Sequence, residues 1–138
     1  MSGKEASSSR SVEIIEAKRS FSVLIVDDDC LIRRIHRALL SKFTKEIQEV
    51  ENGQQAVDLH RSGAASFDII LMDQDMPIMN GLEATKELRA MGVNNMIIGV
   101  TARDSNKDDL IAAGQNQCYE KPLNIEMVKT ILKDCNLY

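Results

Sequence analysis

Apolar residues follow two different spacings along this chain. Short, largely β-branched runs at Val23–Val26, Ile69–Met72 and Met96–Val100 lack polar alternation and predict strands buried on both faces. Weaker strands fit Ile47–Val50 and Gln117–Glu120. Between the runs, apolar positions recur at helical spacing. Leu31, Ile35, Ala38 and Leu39 mark one helix, Leu88 and Met91 part of another, and Ile125, Val128 and Leu132 the last. Gly53, Gly63, Gly81, Gly92 and Gly114 punctuate helix starts or ends. The order is β-α, five times over. Right-handed crossovers then require an α/β fold, a five-stranded parallel sheet with helices on both faces. Ligands of such sheets bind beyond the carboxyl ends of the strands.

Residues 1–20 break the pattern: Ser7, Ser8 and Ser9 sit in a polar tract, and Val12, Ile14 and Ile15 are the few apolar residues after it. They read as a flexible arm, leaving residues 21–138 as one domain. A chain of 138 residues suits that count.

Composition narrows the function. A net charge of -4 gives no reason to expect attraction to nucleic acid. Cys30, Cys118 and Cys135 lie far apart without metal-ligand spacing, which points to reduced thiols. No apolar run at the start reads as a leader or membrane span. Cytoplasm, and the nucleus besides, are the expected compartments.

If chemistry sits at the strand ends, the residues there should carry it. They are Asp27 and Asp28 after the first strand, Asp73 after the third, Thr101 after the fourth and Lys121 after the fifth. Singly, each has an ordinary explanation. Asp27, Asp28 or Asp29 would cap a helix, with Asp29 best placed; Asp73 and Asp75 would form a turn beside Pro77 and Gly81; Thr101 is as easily a strand residue and Lys121 a surface cation. Jointly they are harder to dismiss, because independent caps and turns need not share one edge of a sheet. Three converging carboxylates repel. A unit pair at about 4 Å costs roughly 1 kcal/mol in water and about 4 at an effective dielectric of 20. A divalent cation would offset this, and all-oxygen ligands suit Mg²⁺. With Lys121 as a second positive charge, such a site suits phosphoryl transfer to Asp73.

From Phe21 to Asp134 the chain resembles the receiver domain of two-component response regulators. The matching segments are VLIVDDD (Val23–Asp29), ENGQQAV (Glu51–Val57), DIILMDQDMPIMNG (Asp68–Gly81), IIGVTA (Ile97–Ala102) and YEKPL (Tyr119–Leu123), in order and correctly spaced. The resemblance is strongest to receivers of hybrid kinases and to plant stand-alone regulators, which brings cytokinin signalling into view. It implies the flavodoxin-like strand order 2-1-3-4-5 and a phosphoacceptor role for Asp73. It further implies Asp28 and Asp73 as direct Mg²⁺ ligands, Asp27 through water and the backbone carbonyl of Asp75, with Mn²⁺ as a substitute. Thr101 and Lys121 take the phosphate-binding roles, and Lys121–Pro122 a cis peptide. The implied partner is a histidine phosphotransfer protein or histidine kinase, the domain being a monomer without membrane or nucleic-acid contacts.

Some positions depart from that pattern. Receivers usually carry Tyr, Phe or His three residues before the lysine, where this chain has Cys118. A thiol cannot replace a ring that turns inward, so the surface change on phosphorylation should shrink. The adjacent Tyr119 is expected at the surface. Asp75 and Arg103 are candidates to pair across the mouth of the site. His36 and His60 are expected at the surface or its boundary, and Arg33, Arg34 and Arg37 as a solvated face or, by the resemblance, a rim for a docking partner.

Three functions compete. A receiver would act as a phosphate sink, a phosphohistidine phosphatase toward its donor, or a switch, with no DNA-reading output expected. A haloacid-dehalogenase-like phosphatase would use the Asp73-Gln74-Asp75 pair. A scaffold would not be phosphorylated at all.

Overall fold

A computed structural model describes residues 19–138, so the arm expected over residues 1–20 lies outside the described residues except for Arg19 and Ser20. The elements are β1 (Ser22–Val26), α1 (Cys30–Leu40), β2 (Glu46–Val50), α2 (Gly53–Arg61), β3 (Ile69–Met72), α3 (Gly81–Ala90), β4 (Met96–Thr101), α4 (Lys107–Ala113), β5 (Gln117–Glu120) and α5 (Ile125–Asp134). Each helix starts from an Asp or Asn whose side chain accepts a first-turn N–H: Asp29, Asn52, Asn80, Asn106 and Asn124. Such a cap is worth about 1 kcal/mol against alanine. At α3 the cap is reciprocal, because the Glu83 carboxylate accepts the Asn80 N–H at 3.1 Å.

All four strand pairings are parallel and the order is β2-β1-β3-β4-β5, as expected. Alternate strand residues feed two cores. Val23, Ile25, Ile69, Leu71, Ile98 and Val100 pack with Val128, Ile131 and Leu132 of α5 on one face. Leu24, Val26, Ile70, Met72 and Ile97 pack with residues of α2 and α3 on the other. The expected two-sided burial is therefore present.

Expectations at Leu31, His36 and His60 are corrected. The apolar spacing puts Leu31 on the inward stripe of α1, but it is 58% exposed, and the buried residues of that helix are His36 and Leu40. His36 and His60 are not surface residues, being 1% and 9% exposed. Each imidazole finds a backbone partner that lets it stay buried. The His36 Nε2 accepts the Leu123 N–H at 3.0 Å, and His60 Nδ1 bonds the Ala56 carbonyl at 2.8 Å. Burial, helped by the Lys121 charge, pushes the His36 pKa down to about 4, so it remains a neutral acceptor. It thereby anchors the loop that follows Lys121. Tyr119 is only half-buried, but its ring packs against the α5-side core and its hydroxyl donates to Gln117 at 3.1 Å.

One glycine ties the fold to the strand ends. A Cβ on Gly81 would lie 2.1 Å from the Asp73 carbonyl oxygen and 3.0 Å from its carbon. No side-chain rotation relieves a clash with backbone. Gly81→Ala is therefore expected to destabilise the protein by about 1–3 kcal/mol, as overpacking does, measured as a lower urea midpoint at unchanged slope.

Candidate functional site

The site follows from register. Val26 of β1 lies opposite Met72 of β3, so the next residues, Asp27 and Asp73, leave the sheet side by side. The Asp73 N–H donates to the Val26 carbonyl at 2.9 Å, holding them there. Likewise Thr101 is opposite Glu120, and the Lys121 N–H donates to the Thr101 carbonyl at 2.8 Å. The Lys121–Pro122 peptide is cis, as expected.

One carboxylate oxygen from each of Asp27, Asp28 and Asp73 lies within 4.8 Å of the others. Asp27 and Asp73 are each 2% exposed, whereas Asp28 faces solvent. The Lys121 ammonium sits 2.9 Å from Asp73 Oδ1 and 3.4 Å from Asp27 Oδ2. Burial raises the Asp73 pKa to about 6, and the Asp27 charge adds to the rise against the pull of Lys121. Burial also raises Asp27. For Lys121, burial opposes the charge, but Asp73 and Asp27 outweigh it and hold the ammonium above its ordinary range.

One lysine thus faces three carboxylates, and the balance is incomplete. Asp73 Oδ1 accepts from Lys121 and from the Gln74 N–H at 2.8 Å, but the buried Oδ2 has no hydrogen-bond partner. A buried anionic oxygen without a donor calls for a cation or an electrophile. The donors are all oxygen, on two buried acids and one exposed acid, which fits a hard cation that keeps several waters, such as Mg²⁺. Among the described residues no other such cluster of His, Cys, Asp or Glu exists.

The remaining candidates are placed less directly. Thr101 is fully buried and its hydroxyl is 2.5 Å from that of Ser105. Asp75 is exposed and lines, with Gln74, Ala102, Asp104 and Ser105, a cavity of about 320 Å³ beside the cluster. The expected pair between Asp75 and Arg103 is replaced: Arg103 approaches Glu120 at 3.7 Å, and at 87% exposure that contact is worth little. Cys118 is half-buried and packs toward Gly99, whose absent Cβ would stand 3.0 Å from the thiol sulfur. Arg33 and Arg37, candidates for a docking rim or a solvated face, both bind Glu49 of β2, while Arg34 is exposed.

Sequence reasoning passed over Ser105, Glu49 and the role of His36. Ser105 lies in a polar loop where nothing distinguishes it from Asp104 or Asn106. Glu49 alternates with Gln48 in a strand whose apolar pattern is weak, so no periodicity singles it out.

Comparison with known proteins agrees with this geometry. The family model for the response regulator receiver domain matches residues 23–133. Two-component response regulator 24 of Arabidopsis thaliana is 44% identical over 124 residues, covering 88% of each chain. The receiver domain of sensor histidine kinase PA1611 from Pseudomonas aeruginosa, solved with magnesium coordinated in its active-site cleft, is 27% identical. Its TM-score is 0.73, with 86% of this chain and 98% of that chain covered. A chain in the co-crystal structure of the Saccharomyces cerevisiae histidine phosphotransfer protein Ypd1 with the receiver domain of Ssk1 is 25% identical. There the TM-score is 0.72, with 85% and 87% covered.

Proposed function

Because the chain belongs to the response regulator receiver domain family, we propose that it accepts a phosphoryl group on Asp73 from a phosphohistidine donor in a Mg²⁺-dependent step. The observation that carries this reading is the buried Asp73 carboxylate, with one oxygen on Lys121 at 2.9 Å and the other without a partner, flanked by Asp27 and Asp28. Asp28 and Asp73 would hold Mg²⁺ directly, Asp27 through water, and the Asp75 carbonyl would complete the protein ligands. When bound, the ion supplies positive charge to the phosphoryl oxygens.

The chain's own groups do the rest. An Asp73 oxygen forms a bond to phosphorus as the phosphorus–nitrogen bond breaks, and that electron pair returns to the donor imidazole. Lys121, held charged by its two aspartates, turns to an equatorial oxygen of the transferring group. The Thr101 hydroxyl leaves Ser105 and donates to another phosphoryl oxygen. At the usual aromatic switch position the half-buried Cys118 offers no ring, and Tyr119 is committed to the opposite core. This favours a phosphate sink or a phosphohistidine phosphatase over a strong surface switch. The donor class is supported by the partner named for the Ssk1 receiver complex. The three unpaired thiols support a reducing compartment, cytoplasm or nucleus. No helix among the described residues is long and apolar enough to cross a membrane.

Mixing the protein with a phosphorylated histidine donor and Mg²⁺ tests the reading. Stoichiometric label on this chain, cleaved by hydroxylamine, is the expected result. Catalytic turnover of a small phosphate ester would instead favour the dehalogenase-like reading, and no label with the fold intact would favour the scaffold. A pH series gives a second check. A proton and Mg²⁺ compete for Asp73, whose metal-free pKa is about 6. The apparent Mg²⁺ dissociation constant should therefore be level above that value and rise about tenfold per unit below it, by titration calorimetry.

A further inference from the structure

The turn carrying Asp27 and Asp28 has a mechanical problem. Two carboxylates must point into a pocket where Asp73 repels them, although β1 has already ended at Val26. Left to itself the turn would relieve the repulsion by swinging outward. Its backbone is instead held at three points. The Asp27 N–H donates to the Val50 carbonyl of β2 at 3.2 Å, and the Asp29 N–H donates to Asp27 Oδ1 at 2.9 Å. The third hold is a side chain: Arg33 Nη1 donates to the Asp27 carbonyl at 2.7 Å.

That carbonyl belongs to the peptide joining Asp27 to Asp28. A peptide is planar, so fixing its oxygen fixes the plane and the directions in which both side chains leave it. The Arg33 guanidinium is itself fixed. Its Nε donates to Glu49 Oε1 at 3.1 Å, and the Arg33 side chain is only 14% exposed. Arg37 takes the other oxygen of Glu49 and also donates to the Ile47 carbonyl at 3.0 Å, so Glu49 cannot pivot. Against the cost of its own burial, these arginines hold the Glu49 carboxyl below its usual range. The planar fork of arginine suits this double task, one edge on a carbonyl and the other on a carboxylate.

We infer that Arg33, braced by Glu49, is a positioning residue for the acidic pocket, presenting Asp27 and Asp28 to the cation without touching it. The inference rests on the Mg²⁺-dependent reading above. Groups one step removed from a metal commonly change its affinity tenfold or more when altered. If the guanidinium acted through charge alone, removing it near a cation site would tighten Mg²⁺ binding.

The test is Mg²⁺ titration calorimetry on the native chain, Arg33→Met, Arg33→Lys and Glu49→Gln, with melting temperatures recorded alongside. Arg33→Met is expected to weaken Mg²⁺ binding about tenfold, and Arg33→Lys and Glu49→Gln by a smaller factor. Phosphoryl transfer at saturating Mg²⁺ should stay within about threefold of native, because Asp73 and Lys121 are untouched. Equal or tighter Mg²⁺ binding by the folded variants, beside normal binding by the native chain, overturns the inference and spares the function. A lower melting temperature with native Mg²⁺ affinity also overturns it, assigning Arg33 a purely structural role. Absence of Mg²⁺ binding by the native chain overturns both. Should Arg33→Met not fold, Arg33→Lys and Glu49→Gln decide the matter by the same criteria.

Discussion

Asp73→Asn is expected to lose phosphoryl uptake by roughly a thousandfold or more, because removing a covalent nucleophile removes the step itself. The same change should make the metal-free protein more stable. The folded-state pKa of Asp73, about 6, lies above its ordinary value of 3.8, so the fold penalises the ionised form. That penalty is absent below the unfolded value, sets in between the two, and is fully present at neutral pH. It amounts to about 2–3 kcal/mol at most. Asp73→Asn should therefore melt about 5 °C higher than the native chain at pH 7.5 in the presence of a chelator. It should gain little at pH 4, where the penalty is only beginning. Millimolar Mg²⁺ should raise the melting temperature of the native chain and hardly move the variant, since one of the proposed ligands is gone. Thermal melts at the two pH values, with and without Mg²⁺, check this. An equal response of both proteins to Mg²⁺ would place the ion elsewhere.

Why Asp73 could be singled out from the sequence, and Glu49 could not, has a physical basis. In a parallel sheet buried on both faces the strands are nearly continuous apolar runs, so their ends are sharp. Val26 to Asp27 and Met72 to Asp73 are abrupt changes of polarity, and the residue after each change is carried to the same edge. Strand order came by resemblance, but the gathering of Asp27, Asp73 and Lys121 needed only parallel strands and right-handed crossovers. β2 is different. As an edge strand its pattern mixes exposed and half-buried residues, and a glutamate there looks like solvated surface. Its pairing with Arg33 and Arg37 depends on how α1 is rotated about its axis, and the apolar spacing of that helix points to a different rotation. Leu31 drew the apolar stripe toward itself, whereas the helix turns His36 inward because the loop after Lys121 supplies an N–H for it. A buried imidazole with a backbone partner has no one-dimensional signature.

The two cations near the aspartates should respond oppositely to removal, and this separates their roles. Lys121 touches the carboxylates themselves, at 2.9 Å and 3.4 Å, and so competes with any cation bound there. Lys121→Met should leave Mg²⁺ binding as tight as native or tighter. Without Mg²⁺ it leaves the buried Asp27 and Asp73 facing each other with no ammonium between them, and breaking such a pair from one side is destabilising. The variant should therefore melt below the native chain in chelator and recover more on adding Mg²⁺. Phosphoryl transfer should nevertheless fall by about 100- to 1000-fold even at saturating Mg²⁺, the loss typical when one fixed donor to a developing negative charge is removed. Arg33→Met should do the reverse, loosening Mg²⁺ while sparing transfer once the ion saturates. Measuring both constants on both variants gives a crossed pattern. Parallel losses in the two would mean that Lys121 and Arg33 merely hold the fold, and that the charge at the strand ends does not act on the transferring group.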